Sequence, residues 1–292
     1  NNRTPLAGVI TKRLNQREYP SNQADAGSGA PGDPHIVSDV LDHGALFVFD
    51  AGYYHTSGLD PDGDIDHEET AVYLEGDGIR TTTLASDGTD SLYRLDIDGT
   101  GNFGGISDMT MYGSGAGDGP TQPLVHVAGV IDQLIENVIL RYSGGDLLRV
   151  EESASGLRLR NSWIENTTGH GVWTTHGTRA KFSNLHIISC TEGGIYTGLT
   201  NSQFDGISVQ NCPTGIEFEN GKNQLTNAYL SDADDAGLVA DGQFSSVANV
   251  LGRRNGRTLD VSAPYTAVTN LVSMQSEAEA IDVRDDYSTL SN

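Results

Sequence analysis

Residues 169–177 read GHGVWTTHG, and His170 stands there between two glycines, either as a catalytic imidazole or as a residue at a bend. Close by in the chain, Arg158, Arg160, Arg179 and Lys181 gather in a sequence that is otherwise acidic. Guanidinium forks match carboxylate or sulfate, so this group has the chemistry to hold an anionic sugar substituent, or else to pair with surface acids such as Glu136 and Asp205. The run DPDGDIDHEE at 60–69 sets Asp60, Asp62, Asp64 and Asp66 at a period of two, as at the start of a calcium loop. Ile65 and Ala71, however, occupy the sixth and twelfth positions, where Gly and Glu are required. The run therefore reads as an acidic loop without a metal site, with Ca²⁺ at these four aspartates as the alternative, and no cofactor is expected. Trp163, Trp173, His186 and Tyr196 supply the aromatic surface that a sugar ring or a partner subunit would use.

The elements that position these groups are short and repeated. ISDMTM (106–111), IENVIL (135–140), LRNSWI (159–164), FSNLHI (182–187), FDGISV (204–209), LTNAYL (225–230), VANVLG (247–252) and VTNLVS (268–273) align without a gap. Their third residues, Asp108, Asn137, Asn161, Asn184, Gly206, Asn227, Asn249 and Asn270, are 29, 24, 23, 22, 21, 22 and 21 apart. A second column, Leu147, Val172, Ile195, Ile216, Leu238, Leu259 and Ile281, drifts in step with the first. Units this short cannot bury an apolar face alone, so neighbouring coils of about 22 residues must stack and complete one core. Residues two before, one after and three after the Asn then point inward. The Asn itself marks a corner, where it tolerates left-handed backbone angles and bonds its copies above and below. Cys190 and Cys212 share one rung position, as stacked free thiols or as a bridge.

The same alignment turns other residues outward. Two after the Asn stand Thr110, Ile139, Trp163, His186, Ser208, Tyr229, Leu251 and Val272, and the second column presents Leu148, Trp173, Tyr196, Glu217 and Val239. Both tryptophans are thus expected on the outer wall, with His186 and Tyr196 one coil below them, as a platform for glycan or for a neighbouring subunit.

Composition limits the partners. The 292 residues carry 40 acidic against 17 basic side chains, a formal charge of −23, and the lysines are Lys12, Lys181 and Lys222. Such a surface repels phosphate backbones and anionic membranes, so neither nucleic acid nor membrane insertion is expected. It also repels itself unless salt screens it, which points to a halophilic source. No stretch approaches the length of a membrane span, and the first twenty residues lack the apolar block of an export signal.

Upstream of the regular coils, GALFVFDAGYYHTSG (44–58), AVYLEGDGIRTTTLASDG (71–88) and SLYRLDIDGTGNFGGISDMTM (91–111) resemble the first coils of the pectate-lyase-like superfamily. Phe49, Ala51, Gly52 and Tyr54 match its buried-strand motif, with Asp50 in place of the usual Pro. The resemblance, over about residues 36 to 285, implies an all-β fold: a single-stranded right-handed parallel β-helix of about eleven coils at 36–292, with 1–35 as an N-terminal arm or attachment segment. Within this superfamily GHGV is similar to a signature of the polygalacturonases, which would make His170 catalytic. Their hydrolysis needs paired carboxylates. One coil upstream only Asp146 stands in SGGDLLRV, the pair Asp234 and Asp235 lies three coils too late, and no Arg-Ile-Lys run follows. His170 therefore reads as a residue of a Gly-rich corner, and His170, Arg160 and Lys181 are the groups left for catalysis if any occurs.

What remains resembles tailspike-type proteins: a non-catalytic virion spike, turret or tail fibre of a halophilic virus. The resemblance implies a homo-oligomer at the virion surface, anchored to another protein through its arm and contacting cell-surface polysaccharide through Trp163, Trp173, His186, Tyr196, Arg158, Arg160 and Lys181. The alternative is a secreted polysaccharide lyase or glycoside hydrolase. If acidic self-repulsion sets the salt requirement, thermal unfolding shifts upward steadily between about 0.1 and about 3 M NaCl as the Debye length falls to roughly 3 Å, and a flat melting temperature across that series overturns the high-salt reading.

Overall fold

The computed structural model describes residues 10–14, 26–30, 33–36, 45–56, 73–86, 92–96, 104–113, 122–129, 131–151, 154–243, 245–276, 280–284 and 288–291. Among them there are strands and turns and no helix, hence none long and apolar enough to cross a membrane. The strands wind as a right-handed parallel β-helix. One 16-stranded sheet includes the repeated strands Gly105–Tyr112, Leu134–Ser143, Arg158–Thr167, Lys181–Cys190, Gln203–Gln210, Gln224–Ser231, Ser246–Arg253 and Ala267–Met274. A 9-stranded sheet runs beside it from Tyr93–Asp96 to Ile281–Val283, and Ala154–Ser155 pairs with Gly177–Thr178 on a third side.

The eight residues of the Asn column all have positive φ, from 52° at Asn161 to 65° at Gly206. A single left-handed residue between two extended segments turns the chain, and Asn and Asp tolerate that angle better than other side chains. Stacking adds a ladder. The Asn137 amide donates to Asp108 Oδ1 (3.0 Å), Asn184 to Asn161 (3.1 Å), Asn249 to Asn227 (3.1 Å) and Asn270 to Asn249 (3.0 Å). At Gly206 a Cβ would lie 2.8 Å from Asn184 Oδ1, and here the ladder steps sideways, Asn227 donating instead to Asp205 Oδ1 at 2.8 Å. Thr226 donates to the same oxygen, and these two bonds hold the Asp205 carboxyl below its ordinary range.

Two further columns of left-handed residues carry no common residue type. Tyr142, Asn166, Ser189, Asn211, Asp232, Arg254 and Gln275 form one, and Asp132, Gly156, Arg179, Asn201, Lys222 and Tyr265 the other. Each coil between Asp132 and Asp232 therefore turns at three corners.

Between corners the apolar columns meet inside. Ile106, Ile135, Leu159, Phe182, Phe204, Leu225, Val247 and Val268 are all buried, as are Met109, Val138, Ser162, Leu185, Ile207, Ala228, Val250 and Leu271. Phe182 and Phe204, on adjacent coils, pack with ring centroids 4.8 Å apart, close to the strand spacing that sets the distance between coils, and Phe218 meets Phe204 from the other sheet at 5.0 Å. At the N-terminal end Phe49 and Tyr54 meet edge to face at 5.1 Å, and Tyr54 Oη and Thr82 Oγ1 both donate to the carbonyl of Asp50. Cys190 and Cys212 sit on one rung, buried and unbridged. The adjoining Cys212 thiol and burial push the Cys190 thiol up.

Two expectations need correction. The regular winding makes about seven turns rather than eleven. Upstream of Gly105, pairs of short strands such as Tyr73–Gly76 and Thr82–Ser86 lie end to end along one partner, Gly105–Tyr112, so two strands there belong to one turn. The second column is also displaced at one coil: Leu148, not Leu147, pairs with Val172. The interval of 24 residues between Asn137 and Asn161 simply continues to 148 and 172, and both leucines are buried. Within the segment 1–35, Ile10–Leu14 pairs with Ala45–Phe49 and His35 with Tyr54, so parts of it add strands to that end of the long sheet.

If the ladder and the left-handed angle both contribute, Asn249→Ala loses about 1–3 kcal/mol in denaturant unfolding, through two amide bonds and the backbone strain. Asn249→Gly loses about 1 kcal/mol less, because glycine removes only the bonds. Equal losses for the two variants exclude the strain contribution.

Candidate functional site

Because each coil sits directly on the last, the register decides which outward side chains touch. With Leu148 opposite Val172, the outward file of the 9-stranded sheet runs His126, Arg149, Trp173, Tyr196, Glu217, Val239, Asp260 and Asp282. Leu148, expected in this file, is buried, and Arg149 takes its place. The Arg149 guanidinium lies 4.2 Å from the centre of the Trp173 indole, within cation–π range. On the other side Tyr196 stacks on Trp173 with centroids 6.1 Å apart and planes inclined by 16°. Arg149 also donates to Glu151 at 2.7 Å, and Glu151 binds His126 Nε2 at 3.0 Å. The phenol of Tyr196 is pushed up to about 12 by burial and by its hydrogen bond to Glu219.

The same shift places Asp146 beside His170 at the corner leading into this file. The backbone N–H of His170 donates to Asp146 Oδ1 at 2.8 Å, and His170 Nδ1 lies 3.3 Å from that oxygen and 3.2 Å from Glu192 Oε2. Asp146 is buried, His170 partly buried and Glu192 exposed, so three consecutive coils deliver one ionisable group each to a single point. His170 and Gly193 occupy equivalent rungs, as expected for a Gly-rich corner. The aromatic ring of Tyr196 stands 5.9 Å from the imidazole.

Trp163 and His186 form a separate pair on the 16-stranded sheet, centroids 5.0 Å apart, with Trp163 47% exposed. The four aromatics expected as one wall are thus two pairs on two sheets, separated by the corner that carries His170. Burial lowers the His186 imidazole, partly offset by Glu165, which binds Arg141 at 2.8 Å. The basic group is divided in its partners. Arg160 grips Glu136 through Nε at 2.8 Å, Arg158 approaches Asp132 at 3.8 Å, and Arg179 donates to Ser155. Arg158 and Lys181 are exposed neighbours on adjacent coils. Asp205 accepts from Thr226 and Asn227 rather than from this group. Asp60, Asp62, Asp64 and Asp66 lie outside the described residues.

Residues that the sequence reading missed cluster along the second file. Glu217 is partly buried, and burial followed by Asp241 raises its carboxyl above the ordinary range, against a lowering contribution from His170. Its outward position was legible, whereas the charges that reach it from other coils, Asp241 and His170, depend on register.

A comparison of the sequence with the curated proteins finds no match. Among solved structures the chain is similar to ORF18 of Geobacillus virus E2, with TM-score 0.65, 15% identity, and coverage of 86% of this chain and 54% of that one. It is also similar to the catalytic unit of a GH87 α-1,3-glucanase from Streptomyces thermodiastaticus, with TM-score 0.57, 12% identity, and coverage of 98% and 68%. An alginate lyase from Paenibacillus sp. gives TM-score 0.51, 10% identity, and coverage of 85% and 94%. The chain spans about half the length of the virus protein. At these identities the likeness is one of fold, and it takes in a virus protein, a hydrolase and a lyase alike. The description "right handed beta helix region" matches residues 98–255, more than half of the chain, and with the stacked coils and corner ladder above it, the chain belongs to that family.

Proposed function

We propose that this β-helix is a non-catalytic virion surface appendage of the spike, turret or tail-fibre kind whose outer wall contacts a cell-surface glycan. The observation that carries the reading is Trp163: an indole 47% exposed, braced by His186 at 5.0 Å on a strand paired on both sides. A rigid, exposed indole presents a face to a sugar ring without losing much side-chain freedom on binding. Arg158 and Lys181, exposed on adjacent coils, add cationic donors to the strand segment that leads to Trp163 and His186, so an anionic glycan can approach in spite of the net charge. The likeness in fold to a virus protein supports the appendage part of the reading. In this reading the protein works outside the cell, in high salt, as a homo-oligomer anchored through its N-terminal segment.

Glu217 favours a second reading, polysaccharide cleavage. A carboxyl whose hold on its proton is strengthened by burial and a neighbouring acid is suited to deliver that proton to a leaving oxygen, and Glu217 is paired with Tyr196 on the outer file and feels the charge of Asp241.

Glycan-array or isothermal binding in molar salt separates the two. Trp163→Ala weakens binding by about tenfold or more, as expected for loss of one stacking contact of about 1.4 kcal/mol, while the melting temperature hardly moves. Full binding by Trp163→Ala excludes the platform. Sustained turnover of acidic polysaccharide that disappears in Glu217→Gln overturns the non-catalytic reading. Independently, a carboxyl raised in the folded state disfavours folding once pH rises above its unfolded value of 4.5. Glu217→Gln therefore melts higher than the parent at pH 7 and together with it at pH 3, and a gap that is the same at both values contradicts the raised carboxyl.

A further inference from the structure

We infer that Asp146, His170 and Glu192 form a binding site for a divalent transition-metal ion of the Zn²⁺ type. This goes beyond the appendage reading and does not rest on it.

His170 Nδ1 is the centre of the cluster. It lies 3.3 Å from Asp146 Oδ1 and 3.2 Å from Glu192 Oε2. One N–H cannot point along both lines, and a proton shared between two acceptors makes two poor hydrogen bonds. A metal ion serves both contacts at once. With metal–ligand bonds of about 2.0–2.1 Å, the edge of a tetrahedron is about 3.3 Å, the separation found here. The three ligand atoms all lie within 4.8 Å of one another.

Two glycines make room for the ligands. A Cβ at Gly169 would stand 2.6 Å from Asp146 Oδ1, and one at Gly193 would stand 3.0 Å from the imidazole Cδ2. Both glycines have ordinary negative-φ or extended backbone, so their lack of a side chain is a matter of space rather than of turning. They admit the carboxylate and the ring to the same small volume.

Neighbouring groups support the ligands from behind. The His170 backbone N–H fixes Asp146 Oδ1, and Arg149 stands 3.9 Å from Asp146 Oδ2, an arrangement that orients a ligating carboxylate. Glu192, 62% exposed at its side chain, leaves the outer positions of an ion open to solvent or to an oxygen of a bound molecule. The donor set of one imidazole and two carboxylates suits Zn²⁺, Ni²⁺ or Mn²⁺; Ca²⁺ prefers six to eight oxygens.

Zn²⁺ alone is the probe, titrated by calorimetry in molar NaCl so that diffuse attraction to the acidic surface is screened. The parent chain takes up one Zn²⁺ per chain with a rise in melting temperature, and equimolar Ca²⁺ does not displace it. His170→Ala and Glu192→Gln each weaken uptake at least about tenfold, and Asp234→Asn, at an exposed acid elsewhere, binds as the parent does. Circular dichroism checks that each variant is folded. Since Glu192 is exposed, Glu192→Gln decides the matter if His170→Ala does not fold. Absence of saturable Zn²⁺ uptake by the parent, uptake unchanged in Glu192→Gln, or equal competition by Ca²⁺ overturns the site. None of these outcomes depends on whether the chain binds or cleaves a glycan.

Discussion

Coil-on-coil register is the constraint from which the rest of this structure follows. Parallel strands about 4.8 Å apart place each residue directly over its counterpart one coil earlier, so every side chain has two neighbours dictated by alignment alone. Left-handed corners maintain that alignment. At the first corner a file of Asn, Asp and one Gly holds the angle and links successive coils through side-chain amides. An L residue in this conformation is strained by about 1–2 kcal/mol unless its side chain suits it, which is why asparagine recurs where the amide can also reach the next rung.

The outer surface inherits the same rule with a different outcome. Inside, stacking joins like with like and builds continuous apolar columns. Outside, it brings unlike residues together: guanidinium on indole, indole on phenol, imidazole between two carboxylates. Stacking along the axis also covers ring faces. Trp173 lies between Arg149 and Tyr196 and offers mainly its edge, whereas Trp163 is tilted by 57° against His186 and remains half exposed. Two tryptophans ten residues apart therefore present different chemistry to a ligand.

One residue of register has large consequences in such a fold. With Leu147 opposite Val172, Leu148 would point outward beside Trp173 and Asp146 would fall on the rung of Gly171. With Leu148 opposite Val172, the guanidinium of Arg149 reaches the indole and Asp146 reaches His170. A cluster of three ionisable groups exists only in the second alignment.

The sequence by itself determined the winding. Apolar residues at matched positions and an Asn every 21 to 24 residues between Asn137 and Asn270, Gly206 excepted, state the period, the inward columns and the first corner, because these features depend on residue type. Only the tertiary structure decided the other two corners, where Tyr142, Ser189 and Arg254 at one and Arg179, Lys222 and Tyr265 at the other take left-handed angles that no shared side chain announces, since there the stacked coils above and below impose the turn. It likewise decided the number of regular turns, the division of the aromatics between two sheets, and the meeting of Asp146, His170 and Glu192. Those are properties of contacts between residues more than twenty positions apart, and they change completely when the alignment slips by one.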